Sequence, residues 1–332
     1  MRGGRRFTAI SLLVGIALFA LVLWRTGIRE PLALIAGAGW GGVWILAIAG
    51  VRPVLRSLAW LRSMPAGERG IGFLRVWRAR LIGDAVGNLM TAGPLLAEPA
   101  RLIYLSGRIP MQAAATSLSI ELVVYLASCV VAMAAGLLLL LGRVALGAEL
   151  RRLSLLALAL LLAGAIAGLL VFLRGWSPLG LIERAFAALP RRPFAASLPG
   201  AFDRLRSIER SILDFHRARP RDFFHVCLCE AGFHLAGAAE IWLTLRLIGE
   251  RPAADTAFIF EAVNRLITIL FAFIPARMGV DEAGTGLFAT ALGFSALVGV
   301  TLAVYRKLRV LFWTAIGLGL LAVQLRRKGE QG

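Results

Sequence analysis

The sequence predicts an all-α, polytopic integral membrane protein with about six full spans plus two broken, re-entrant helix hairpins related as an inverted repeat. Three observations predict it. Hydrophobic residues make up 59% of the 332 residues and charged residues only 17%, with a mean hydropathy of +0.78, well above the apolar share of a soluble domain. Six stretches are predominantly apolar over roughly the 20 residues that a spanning helix needs. Two further apolar regions, 72–110 and 257–303, are interrupted in the middle by polar residues, glycine and proline.

The first apolar stretch, 7–24, follows a basic start. It is about eighteen residues long with no small-residue cleavage site after it, so it reads as a retained span rather than a signal peptide. The others are 39–61, 113–141, 150–173, 222–248 and 306–325. Together they make residues 1–332 a single transmembrane domain. The net charge of +18 comes almost wholly from arginine, since Lys307 and Lys328 are the only lysines. A basic face toward anionic lipid headgroups accounts for it without any nucleic-acid partner. Cys129, Cys227 and Cys229 fall in the spans, where an odd number of thiols argues against a disulfide framework.

Arginine-rich short loops stay cytoplasmic. The N-terminus, the 62–80 connection with five basic residues, the 174–221 connection with ten, and the tail belong on that side. Both termini are therefore expected in the cytoplasm and the protein in the inner or plasma membrane. Two places fit poorly: Arg143, Arg151 and Arg152 flank an outer loop, and Arg306, Lys307 and Arg309 stand at the start of a span entered from outside. Within 174–221, five prolines exclude one long helix. Phe202, Leu205, Ile208, Ile212 and Phe215 recur at helical spacing among charges, which predicts an amphipathic helix on the cytoplasmic leaflet.

The first broken region carries GDAVGNLMTAGPLLAEPARLIYL, residues 83–105. Runs at about 81–93 and 98–110 are each near 20 Å long as helices, too short for a core of about 30 Å. Gly93-Pro94 breaks the first run, Glu98 is placed to cap the second, and Pro99 suits its first turn. Broken backbone at membrane depth needs protein or a wet cavity beside it. The second region repeats the plan, with Asn264 and Arg265 incoming, a break from Pro275 to Gly279, and Asp281-Glu282 outgoing, as Asn88, Pro94 and Glu98 do in the first. Glu98 lies 23 residues before Glu121, and Glu282 24 before Arg306. Three spans separate the hairpins, so the second enters from the opposite face, as in transporters with a mid-depth site. The plainer reading, glycine and proline kinking packed helices, stays open.

Ionisable residues in a span cost at least about 2.5 kcal/mol at its centre and are functional candidates. Glu98, Arg101, Glu121, Glu230, Glu240, Arg265, Arg277, Glu282 and Arg306 qualify, with ion pairing or snorkelling as the alternative. Glu98 and Arg101 share a helix face and can pair, while Arg101 at a helix start can equally hold a phosphate. HVCLCEAGFH, residues 225–234, is not a metal site on one helix: His225 and Cys229 lie within about 40° of each other, with Cys227 and His234 opposite. No metal or other cofactor is expected. Glu230 and His234 do share a face, which either lines a polar pathway or packs on a neighbour. Walker A, G-x-S-x-G and H-E-x-x-H patterns are absent from the sequence.

Asn88, Gly93-Pro94, Glu98 and Arg101, then Ser117 and Glu121, then Pro275, Gly279 and Glu282-Ala283 resemble the lysylphosphatidylglycerol synthase transmembrane region, or flippase-like domain, family. The resemblance covers nearly the whole chain, with Ala97-Glu98-Pro99 where the family often has Gly-Glu. It implies an integral membrane unit that moves lipids between leaflets. Residues 1–332 contain no soluble aminoacyltransferase segment, so a self-contained enzyme is not expected. The expected ligand is an anionic phospholipid or lipid-linked headgroup held by Arg101 and Arg265, with Glu98 and Glu282 orienting those arginines or exchanging protons, and with a homo-oligomer or a partner synthase as further associations. A membrane-embedded transferase acting on a lipid-linked substrate, and a partner protein without transport, are the alternatives.

Overall fold

A computed structural model describes residues 37, 39–89, 93–174, 201–271, 274, 277 and 279–329. The expected span 7–24, the break at Pro275 and most of the 174–221 connection lie outside them. The described residues form ten α-helices and no strand. Five of these helices, in the regions expected, are long and apolar enough to cross a membrane. The protein is an all-α, multi-pass membrane protein.

Helix α1 (Gly41–Ser63) contains Pro53. It ends where Met64 N–H bonds back to the Trp60 and Leu61 carbonyls and Pro65 follows. Its last carbonyls are capped from elsewhere: Arg69 donates to Met64 O at 3.1 Å and Arg62 O at 2.9 Å, and Arg219 to Met64 O at 2.7 Å and Ser63 O at 2.9 Å. Cations at a helix C-terminus meet the orphan carbonyls and the negative end of its dipole. A 3₁₀ turn (Ala66–Ile71) and Gly72, at φ +83°, lead into α2.

The first hairpin is α2 (Phe73–Leu89) and α3 (Gly93–Leu105), of 17 and 13 residues. At 1.5 Å per residue they reach about 25 and 20 Å, short of a bilayer core of about 30 Å. Two details depart from the expectation. The second helix begins at Gly93-Pro94, where proline is tolerated, so Pro99 sits inside α3 and Glu98 does not cap it. And α2 starts at Phe73, which takes Arg80 out of the expected cytoplasmic loop and into a helix, 1% exposed.

Helices α4 (Met111–Arg143, 33 residues) and α5 (Ala148–Arg174) follow. Then α6 (Ala201–Ala218), the expected amphipathic helix, sets Phe215 against Ala59, Ile120 and Val226, with Ile212 beside it. Helix α7 (Pro220–Leu247) opens on a proline at its first position. The second hairpin is α8 (Ala254–Leu270) and α9 (Val280–Ala291), of 17 and 12 residues, and α10 (Ala296–Gly329) runs for 34. In α9, Glu282 accepts a bond from Gly279 N–H at 2.8 Å, so the expected acidic start holds there. Helix α10 starts ten residues before the expected span at 306. Arg306, Lys307 and Arg309 are therefore helix-interior residues, and their poor fit to a loop disappears.

Packing repeats along the chain. With α1–α4 as a first unit and α7–α10 as a second, α1 packs on α7, α2 on α10, and α4 on α8, so each unit's hairpin leans on the other unit's long helix. Two core clusters have the same spacing: Trp60, Met64, Val76 and Ala79 in one, Ile241, Leu245, Ala257 and Phe260 in the other, each of the latter 181 positions after its counterpart. The closest approaches obey the same shift. A Cβ on Gly136 of α4 would meet Ala262 of α8 at 2.1 Å, and one on Gly317 of α10 would meet Leu81 O of α2 at 2.3 Å. Only glycine lets the helices meet so closely. This register pairs Arg306 with Tyr125 rather than with Glu121.

Candidate functional site

Charged side chains from α1, α2, α3, α4 and α7 converge between the two units. Glu121, fully buried on α4, accepts from Arg56 Nε of α1 at 2.7 Å and Arg80 Nη2 of α2 at 3.0 Å. Arg80 also donates to the Arg56 carbonyl at 3.3 Å. Glu230 of α7, also fully buried, approaches Arg56 Nε only to 3.9 Å. Toward the mouth, Arg101 is held by Asp84 of α2 and Glu98 of its own helix, and these two carboxylate side chains are 42% and 28% exposed. Gly83 makes room for this, since a Cβ there would meet Arg101 Cγ at 2.4 Å.

These cations are not fully used. Among the described residues, Arg56 Nη2, Arg80 Nε and Nη1, and Arg101 Nε are buried without a hydrogen-bond partner, as are Glu98 Oε2, Glu121 Oε2 and both Glu230 oxygens. An unmatched buried donor costs about 1–3 kcal/mol, more when charged. Four such nitrogens on three neighbouring arginines leave donor capacity unspent around Glu121.

An aromatic pair joins this cluster to the second unit. Arg56 stacks over Tyr125 at 3.6 Å, and Arg52 and Arg265 lie over Phe233 at 4.4 and 4.7 Å, contacts that stabilise a desolvated guanidinium. Arg265 also donates to Tyr125 Oη at 3.1 Å. Beyond them, Arg52 bridges Glu261 at 3.0 Å and Glu240 at 3.6 Å, Arg265 binds Glu261 at 2.9 Å, and Arg309 binds Glu240. Glu282 pairs with Lys307 and Arg277 with Asp281 at 3.3 Å. A crevice of about 300 Å³ of unfilled space, its mouth included, is lined by Glu240, Thr244, Thr285, Tyr305 and Arg306. Arg306 donates to Thr285 Oγ1 at 2.6 Å while its Nη1 has no partner.

Of the residues singled out from sequence, Glu98, Arg101, Glu121 and Glu230 fall in the first cluster and Arg265 in the second. His234 meets Ser128 at 3.1 Å beside them. Glu282 and Arg277 belong to separate pairs, and Glu282 does not orient Arg265. Asn88 is exposed and donates to Thr314 at 2.9 Å. Asn264 is half-buried on α8, and Pro94 is the second residue of α3. Sequence reasoning missed Arg52, Arg56 and Arg80. Their signal was available, since Arg52 and Arg56 stand four apart in an apolar span and so share a face.

Five membrane-length helices, two short hairpins and a buried, partly unmatched charge network define a multi-pass helical membrane protein with ionisable groups held inside it. The chain matches the lysylphosphatidylglycerol synthase TM region over residues 8–319 and belongs to that family. No curated protein and no solved structure matches it.

Proposed function

We propose that the protein binds the phosphate-bearing headgroup of an anionic lipid at Arg56, Arg80 and Arg101 and passes the lipid between leaflets, its tails remaining in the bilayer. The observation that carries this reading is the set of four unmatched guanidinium nitrogens around Glu121. A bare cluster of this kind is costly in a membrane, and a bound phosphate group satisfies it. Asp84 and Glu98, partly exposed beside Arg101, mark the entrance. The repeated packing supports two units related as an inverted repeat, each hairpin serving one face of the bilayer. The membrane is the inner or plasma membrane, with both termini cytoplasmic, on the distribution of arginine.

Reconstituted vesicles carrying a headgroup-labelled phosphatidylglycerol test this. The label should become accessible to an external quencher faster with the protein than without it. Arg80→Gln and Arg101→Ala should each return the rate to that of empty vesicles. An unchanged rate with wild-type protein across anionic and zwitterionic lipids, or full activity in both variants, would overturn the reading.

A further inference from the structure

We propose that Glu230 takes up one proton when the anionic headgroup binds, so that lipid binding and protonation are coupled at this carboxylate. This rests on the anion site described above and adds to it a proton as a second ligand.

The argument is one of charge and geometry. Arg56 and Arg80 face two buried carboxylates, Glu121 and Glu230, and the two carboxylates are not equivalent. Glu121 accepts from both arginines, at 2.7 and 3.0 Å. Glu230 has neither oxygen hydrogen-bonded, and its nearest cation, Arg56 Nε, stands at 3.9 Å and is already committed to Glu121. Two guanidinium ions balance two carboxylates. A phosphodiester monoanion on the unpartnered Arg56 and Arg80 donors adds one negative charge beside Glu121 and Glu230, both fully buried, where an uncompensated charge is expensive. Glu230 is the least anchored of the acids, and placing a proton there restores neutrality without breaking a hydrogen bond. It also turns one of its oxygens into a donor for the incoming phosphate.

The surroundings supply no better acceptor. Facing Glu230 are Arg56 from α1, Arg80 from α2, and Glu121 and Cys129 from α4. On α7 itself are Cys227, Cys229 and His234, with Glu240 further along bound by Arg309 of α10. Helix α8 contributes Glu261 beside Gly237, and α6 presents Ile212, Phe215 and His216. Glu261 and Glu240 are each bound by arginine. His234 is the one competitor: its Nε2 is engaged with Ser128 and its Nδ1 has no partner. A proton there would leave Glu230 charged beside the incoming phosphate.

Titration calorimetry of the full chain in a non-ionic detergent, with dihexanoyl phosphatidylglycerol as probe and its deacylated glycerophosphodiester as a second probe, tests this between pH 6 and 9. The diester does not titrate in that range, so any proton taken up belongs to the protein. Binding heats in buffers of different ionisation enthalpy should show uptake approaching one proton at the alkaline end. Affinity should fall toward tenfold per pH unit there, because coupling between two ligands is reciprocal. Glu230→Gln should bind with no proton uptake and no pH dependence, while His234→Gln should keep both. Binding by the lipid and not the deacylated probe makes the ligand a membrane lipid; equal binding makes it a free diester, with the proton result read the same way. Wild-type binding without proton uptake would overturn the coupling and leave the anion site standing. Uptake that survives Glu230→Gln and vanishes in His234→Gln would also overturn it. No binding of either probe at any pH removes the anion site and the coupling together.

Discussion

The two packed units share a scaffold and differ in how their charges are spent. At the same register, Arg56 of α1 corresponds to Gly237 of α7 and Arg80 of α2 to Glu261 of α8. In the first unit two arginines therefore stand side by side around one acid. In the second the missing side chain at Gly237 makes room for Glu261, whose carboxylate carbon lies 2.6 Å from where a Cβ would be. The consequence is an imbalance. Glu240, Glu261, Asp281 and Glu282 each hold a basic partner, whereas the first unit leaves four guanidinium nitrogens unmatched. The acids of α8 and α9 are closed by pairs, Arg52 of α1 among their partners, with Glu230 and Arg306 Nη1 left over, and the first unit keeps the larger share of unspent donors. A shared spacing of packing contacts with unlike charges at Arg56/Gly237 and Arg80/Glu261 separates what builds the bundle from what distributes its charge.

The largest expected effect breaks the first unit. Glu121→Ala strips Arg56 and Arg80 of their shared acid and should cost about 3–5 kcal/mol, as removing one partner of a buried pair does. Glu261→Ala should cost less, about 1–3 kcal/mol, because Arg52 keeps Glu240 and Arg265 keeps Tyr125 Oη. Thermal unfolding in detergent measures both, and equal losses would erase the contrast between an open and a closed unit. Next in size are the reciprocal glycines. Gly136→Val and Gly317→Val each drive a side chain into the partner helix and should cost about 1–3 kcal/mol by overpacking. Similar losses sharpen the repeat. A neutral Gly317→Val beside a damaging Gly136→Val would say that the two contacts are not equivalent.

Much of this was legible in the sequence because the bilayer imposes lengths. Spans show themselves as apolar runs, and the hairpins show themselves as runs too short and too broken to cross. The amphipathic α6 followed from its spacing, and the Glu98–Arg101 pair from theirs. Register was harder to read. Pro99 looked like a helix start because proline is common there, yet proline is equally common one turn earlier at Pro94, which begins α3. Arg80 was counted with loop arginines because charge alone cannot tell a basic loop from an arginine matched by a distant acid, and Glu121 lies 41 positions further on. Arg52 and Arg56 were hidden inside an apolar average. The same averaging hid α10's first ten residues, where Arg306, Lys307 and Arg309 looked like an entry from water until Thr285, Glu282 and Glu240 supplied their partners.

The smallest expected effect marks the edge of the comparison. Arg143, at the end of α4, reaches Asp255, at the start of α8, at 2.9 Å. This is a link between the two units, as Arg52–Glu261 is, with similar geometry. The difference is solvent, since the Arg143 side chain is 67% exposed, and an exposed pair gives back in desolvation and side-chain entropy most of what it gains. Arg143→Ala should therefore change stability by about 0–1 kcal/mol, and that small change should vanish at 1 M salt, where the screening length is roughly 3 Å. Arg52→Ala, by contrast, should stay destabilising at every salt concentration, because its acids are shielded from ions. A loss in Arg143→Ala as large as in Arg52→Ala, and insensitive to salt, would mean that the edge contact shares the interior of the network and that the closed unit extends to the ends of α4 and α8.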